Sequence, residues 1–168
     1  MGMEVVGIRR STQVAGGDRA DEIYPISGLE DALPRADALI ICLPHTPETD
    51  SLLGENELSL LPSDAVLVNV GRGGIVDEGA LYRALRDGTI FAAGLDVWYN
   101  YPADTASRAN TPPSSYPFHE LDNVVMSPHR AGHSRKTERL RMAHLAELLN
   151  AAARGEEMPN KVDLEAGY

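Results

Sequence analysis

The chain has 168 residues, 43% hydrophobic and 24% charged, with a formal net charge of −10. This is the composition of a soluble globular protein long enough for one core, and its charge argues against a nucleic acid or an anionic membrane as partner. No apolar run approaches the roughly 20 residues of a transmembrane helix, the N-terminus lacks a signal-peptide layout, and Cys42 is the only cysteine, which leaves no disulfide framework, no cysteine-based metal site and a cytoplasmic protein as the expectation.

In chain order, Glu4 to Ile8 reads as a strand and Ser27 to Leu33 as a short helix. Ala38 to Leu43 reads as a buried strand, with Cys42 inside it as an inert core thiol. A helix over Glu55 to Leu61 is stopped by Pro62, and the strand Ala65 to Val70 follows. Asp77 caps a helix in which Ala80, Leu81, Ala84 and Leu85 recur at helical spacing, and Gly88 ends it. Ile90 to Val97 is another strand. Pro102 to Pro117 is a long loop, and Asn123 to Met126 is the last strand. The longest helix starts at Ser134 and runs to about Ala153, leaving a tail without strong period. Strands alternating with helices predict a parallel sheet with helices packed on it.

Two polar side chains stand just past strand ends, where an open α/β sheet binds ligands. Arg72 lies in Gly71-Arg72-Gly73-Gly74 and His129 in Ser127-Pro128-His129. A planar guanidinium suits a substrate carboxylate, and an imidazole can carry a proton. Each also has a plainer reading, a solvated arginine in a tight turn and an exposed loop histidine. Asp96 ends an apolar strand, where its carboxylate could bind a ligand amide or ribose, or cap a backbone N–H. Trp98 suits either an aromatic pocket wall or the core. His45, His119, His133 and His144 show no metal-ligand spacing.

Four strings then follow one another with consistent gaps: Leu43-Pro44-His45-Thr46-Pro47-Glu48-Thr49, Val68-Asn69-Val70-Gly71-Arg72-Gly73-Gly74-Ile75-Val76-Asp77-Glu78, Ala93-Gly94-Leu95-Asp96-Val97 and Ser127-Pro128-His129. Together they resemble the nucleotide-binding domain of the D-isomer-specific 2-hydroxyacid dehydrogenases, a family that includes phosphoglycerate, glyoxylate/hydroxypyruvate and formate dehydrogenases. The resemblance implies a Rossmann-like parallel sheet with flanking helices and hydride transfer between NAD(P) and a small 2-hydroxy or 2-oxo acid. It makes Arg72 the anchor of the substrate carboxylate and His129 the acid/base. Asp96 matches the residue near the nicotinamide, and Leu43, Pro44, Val70, Gly71 and Gly132 match positions lining the cofactor. Where NAD-specific members carry an acidic residue after the second strand, this chain has Arg9-Arg10-Ser11-Thr12, which suits a 2′-phosphate. NADP is therefore expected over NAD. Relatives dimerise through this domain, so a homodimer is expected as well.

Two departures qualify the resemblance. The family's glutamate behind the histidine is replaced by Tyr101, a neutral phenol that would stabilise an imidazolium less than a carboxylate does. Tyr101 is thus expected to be a weaker orienting partner, unless a carboxylate such as Glu120 substitutes. The chain also opens at the segment entering the family's second strand. It is read as a truncated dinucleotide-binding domain over 1–153, lacking the first strand and glycine-rich turn, with 154–168 as a tail that would return to a missing substrate domain. Gly16-Gly17 lies after the strand and does not replace the phosphate-binding turn. Little turnover is expected of the isolated chain, with a non-catalytic cofactor-binding or dimerisation module, or a gene remnant, as alternatives.

Overall fold

The computed structural model describes residues 2–10, 12, 19–159 and 161–162. Ser11 and Gly16-Gly17 lie outside them. Four parallel strands, β3 (Ala38–Ile41), β4 (Val66–Asn69), β5 (Ala92–Leu95) and β6 (Val124–Met126), form a sheet in that order. A separate parallel pair is formed by β1 (Val6–Ile8) and β2 (Glu22–Tyr24), with Val6 opposite Glu22. The flanking helices are α1 (Leu29–Ala32), α2 (Glu55–Leu60), α3 (Glu78–Arg86) and α4 (Arg135–Ala153). Parallel neighbours need long crossovers, which α2 supplies between β3 and β4 and α3 between β4 and β5.

Local chemistry sets the helix limits. Asp77 Oδ1 accepts the Ala80 N–H at 2.7 Å to start α3, and Gly88, in the left-handed region at φ 72°, lets the chain leave it. Ser134 Oγ accepts the Thr137 N–H at 3.0 Å at the start of α4. The expected helix over Ser27 to Leu33 is instead one α turn between two 3-10 turns, with Pro34 inside the second. The expected strand Ile90 to Val97 pairs only over Ala92–Leu95, and Glu4 to Ile8 only over Val6–Ile8. β2 escaped the sequence reading because Glu-Ile-Tyr carries a single aliphatic residue and owes its strand state to pairing with β1.

The core lies on one face of the four-stranded sheet. Leu67, Ala93 and Leu95 pack there with Leu58, Leu81, Leu85 and Phe118. The other face is open: Ile40, Val68, Gly94 and Val125 form one row across the strands, with Ile40 62% and Val125 74% exposed. The strands from Ala38 and Asn123 are thus covered on one side only, and the expected core thiol Cys42 is exposed. α4 is also uncovered. None of its residues, all of them described, is buried, and Leu140, Leu145 and Leu149 face outward into solvent. Among the described residues no helix is long and apolar enough to cross a membrane.

Candidate active site

The C-terminal ends of β4, β5 and β6 bring the expected reacting groups to one edge. After β4 the chain turns tightly at Gly71-Arg72-Gly73. Asn69 closes this turn with both ends of its amide: its Oδ1 accepts the Gly71 N–H at 3.0 Å, and its Nδ2 donates to the Arg72 carbonyl at 3.0 Å. Glycine is required here by close approach. A Cβ on Gly71 would stand 2.7 Å from the Leu43 carbonyl, and one on Gly73 would collide with the Trp98 carbonyl. The Arg72 side chain is exposed, and its Nη1 donates to the Gly71 carbonyl at 2.7 Å. Its planar fork carries further N–H donors, the kind of group a carboxylate anchor needs.

His129 follows β6 with φ 56°, in the left-handed region. For a residue with a Cβ this costs about 1–2 kcal/mol. Asp96, at the end of β5, holds the segment on both sides of it. Asp96 Oδ1 accepts from Ser127 Oγ at 2.6 Å and from the Arg130 N–H at 2.7 Å, and Oδ2 accepts the Ala131 N–H at 2.9 Å. Of the readings open for Asp96, backbone capping is visible in the geometry. Burial raises its pKa, but the Ser127 hydroxyl, the N–H groups of Ala131 and Arg130 and the nearby His129 outweigh burial and hold the carboxyl below its ordinary range.

Tyr101 Oη lies 3.2 Å from His129 Nδ1 and accepts the Trp98 N–H at 3.1 Å. The phenol therefore stands at the imidazole's rear nitrogen. A phenol is amphoteric: it can donate to a neutral Nδ1 or accept from a protonated one, whereas a carboxylate only accepts. Glu120 does not take this place; it sits in the Phe118–Glu120 turn with His119 Nε2 at 3.9 Å. Trp98 joins the two turns, since its indole Nε1 donates to the Ser127 carbonyl at 2.9 Å while its own carbonyl abuts Gly73. Its side chain also packs edge-on against Phe118, so it is both core and site wall. A cleft of about 360 Å³ opens beside His129, lined by Trp98, Tyr101, Met126 and Pro128 among others, within the size range of small-ligand sites.

The expected cofactor positions lie past the C-terminal ends of β1, β3, β4 and β6, the first of these in the separate two-stranded sheet. Arg9 and Arg10 follow β1, and the Arg9 N–H donates to the Tyr24 carbonyl at 3.1 Å. Arg10 Nη2 meets Glu48 Oε2 at 2.6 Å, so an arginine expected to suit a 2′-phosphate has a carboxylate beside it. Leu43 and Pro44 follow β3, and Val70 and Gly71 follow β4. Gly132 is exposed beyond the His129 turn. Two guanidiniums at the C-terminal end of β1 suit a phosphate group, while apolar Leu43 and Val70 follow the paired strands β3 and β4. Among the described residues no three His, Cys, Asp or Glu side chains gather as a metal site.

Asn69 had no role in the sequence reading. The signal was present: a carboxamide in an apolar run, on the inward face shared with Leu67, has to find partners nearby.

Known proteins share this chain's sequence pattern and fold. Residues 1–131 match the family model of the D-isomer specific 2-hydroxyacid dehydrogenase NAD binding domain. A glyoxylate reductase of Aeropyrum pernix is 48% identical over 138 residues, which make up 82% of this chain and 38% of that protein. The chain thus spans well under half the length of this curated relative. Among solved structures, a D-isomer specific 2-hydroxyacid dehydrogenase of Xanthobacter autotrophicus Py2 in complex with NADPH and MES superimposes with a TM-score of 0.81 at 32% identity, covering 99% of this chain and 64% of that one. The family member of Lactobacillus delbrueckii ssp. bulgaricus, in its NAD complexed form, gives 0.78 at 25% identity, covering 96% and 49%.

Proposed function

This chain belongs to the D-isomer-specific 2-hydroxyacid dehydrogenase family, and on that premise we propose that it carries the cofactor-side half of a site for hydride transfer between NAD(P) and a small 2-oxo or 2-hydroxy acid. The carrying observation is the pair of anchored turns that present Arg72 and His129 at one sheet edge. In the reducing direction Arg72 holds the substrate carboxylate through its planar fork. Tyr101 occupies the Nδ1 side of His129, which leaves Nε2 as the nitrogen that gives its proton to the carbonyl oxygen. When bound, NAD(P)H would supply the hydride for the carbonyl carbon, and the products would be the 2-hydroxy acid and oxidised cofactor. Arg9, Arg10, Leu43, Pro44, Val70, Gly71 and Gly132 would hold the dinucleotide, together with Ser11, which follows the arginines in sequence. Arg9 and Arg10 favour NADP over NAD, an advantage that Glu48 beside Arg10 reduces.

The test is NADPH oxidation driven by glyoxylate or hydroxypyruvate, compared with NADH, in an active form of the protein that also carries a substrate domain. Arg72→Ala and His129→Ala are each expected to lower kcat/KM by two orders of magnitude or more. Rates equal to wild type in either variant would sink the assignment. Tyr101→Phe is expected to change the pH–rate profile, and an unchanged profile would remove the orienting role.

A second reading has its own support. The open sheet face at Ile40 and Val125 and the exposed leucines of α4 suit a surface that pairs with a second copy, as in a dimerisation module without turnover. Tight NADPH binding without any glyoxylate-dependent oxidation would favour it. An exposed, unbridged Cys42 accords with a reducing, cytoplasmic setting.

A further inference from the structure

We propose that Asn69 and Asp96 are positioning residues, a linked pair of buried polar side chains beneath the site that hold Arg72 and His129 in register with each other. The inference rests on the reading of Arg72 and His129 as the reacting pair. Asn69 is 1% and Asp96 6% exposed, and they end the neighbouring strands β4 and β5. The Asp96 N–H donates to the Asn69 carbonyl at 3.0 Å, so the two residues are joined directly through the backbone.

Buried polar groups must be satisfied, and where they find partners shows what they hold. Both side-chain hydrogen bonds of Asn69 go to the turn carrying Arg72. All three bonds of the Asp96 carboxylate go to residues flanking His129, one to Ser127 before it and two to the backbone of Arg130 and Ala131 after it. His129 sits in its left-handed conformation between those anchors. Trp98 ties the turns together a second time, through its indole to Ser127 and its carbonyl against Gly73. The relative placement of the two turns is therefore set by short, largely backbone-directed contacts at the ends of adjacent strands. That is the arrangement that keeps a site within the few tenths of an ångström catalysis requires.

The experiment compares the isotopically labelled 168-residue chain with Asp96→Asn, Asn69→Ala and a control, Ser114→Ala. Ser114 is also buried, but its hydroxyl serves the Glu78 anchor, away from both turns. Three quantities are read: the His129 ring resonances with the Tyr101–His129 contact by NMR, the Arg72 amide resonance, and the melting temperature. Asp96→Asn is expected to shift the His129 ring signals and abolish the contact to Tyr101. Asn69→Ala is expected to shift Arg72 and, through the shared backbone bond, to perturb His129 as well. Ser114→Ala is expected to lower the melting temperature with His129 and Arg72 unmoved. Signals of His129 and Arg72 at wild-type positions in both site variants would overturn the proposal. Should Asp96→Asn fail to fold, Ser127→Ala removes one of the three bonds without stranding a carboxylate and must still move His129. In the glyoxylate assay each site variant is expected to lower kcat tenfold or more, while Ser114→Ala leaves kcat near wild type. If Arg72→Ala and His129→Ala stay active while the resonance shifts appear as expected, the functional reading fails and the structural linkage stands.

Discussion

Asp96→Asn also tests the energetics of the His129 turn. The carboxylate accepts three hydrogen bonds at 2.6, 2.7 and 2.9 Å in a buried setting. A bond to a charged group contributes about 1.5–3 kcal/mol net. The carboxamide keeps one acceptor oxygen for Ser127 and Arg130 at neutral strength, and turns an N–H against the Ala131 N–H. Losing one bond outright and weakening two gives a cost of roughly 2–4 kcal/mol. In a chain of this size that corresponds to a fall in Tm of roughly 4–16 °C. The sign of the pH dependence follows from the lowered pKa of Asp96. The folded state binds this proton less readily than the unfolded chain, whose Asp titrates near 3.9. The carboxylate's contribution is therefore fully present above about pH 5 and is lost as pH falls through the folded value. Thermal or urea unfolding of wild type and variant from pH 7 down to pH 3 measures it. The gap between them should be wide and flat at neutral pH and should narrow below about pH 4. A variant that melts with the wild type at neutral pH, or a gap that is the same across the whole range, would refute the reasoning.

Gly73→Ala forces a Cβ onto the Trp98 carbonyl, and backbone on both sides leaves no cheap adjustment; a destabilisation of about 1–3 kcal/mol is expected, with a shifted emission from Trp98, the chain's only tryptophan. An unchanged spectrum and Tm would mean the turns are looser than they look. Leu67→Ala, on the covered face, is expected to cost about 2–5 kcal/mol, whereas Val125→Ala, on the open face, should stay within about 0.5 kcal/mol in dilute monomer; equal losses in urea melts would contradict the one-sided core. Arg35 lowers the pKa of Glu22 to about 2, helped by the Tyr24 hydroxyl, and Arg35 also reaches Glu4 at 2.6 Å across the β1–β2 pair. The protection of the Gly7 and Ile23 amides, taken relative to the intrinsic exchange rate at each pH, should therefore fall as pH drops from the usual carboxylate range towards about 2, and Arg35→Ala should lack that dependence.

Much of this was readable in advance because parallel α/β sheets write themselves as short apolar runs punctuated by turns. β3 to β6 fell where those runs stood, and Arg72 and His129 were picked out by standing just past two of them. The helix α3 was legible in detail, from its Asp77 cap to Gly88. What escaped was whatever depends on a partner. β2 is a strand because β1 lies beside it. Cys42 and Val125 look like core residues by type, yet each lies on a side of the sheet that nothing covers. Tyr101 was recognisable as a substitution behind His129, but its contact to Nδ1 could not be read from its position in the chain.

By itself, then, the sequence determined the parallel sheet, the family and the two residues proposed to bear the chemistry, because periodicity, turn glycines and motif spacing are local properties. The tertiary structure alone decided how that chemistry is held. Asn69 and Asp96 lie 27 positions apart as numbered, yet one backbone hydrogen bond joins them, and Asp96 reaches a further 31 residues on to Ser127. Such bonds exist only once adjacent strands align their C-terminal ends, and burial is what makes them strong enough to keep His129 in a conformation it would not choose alone.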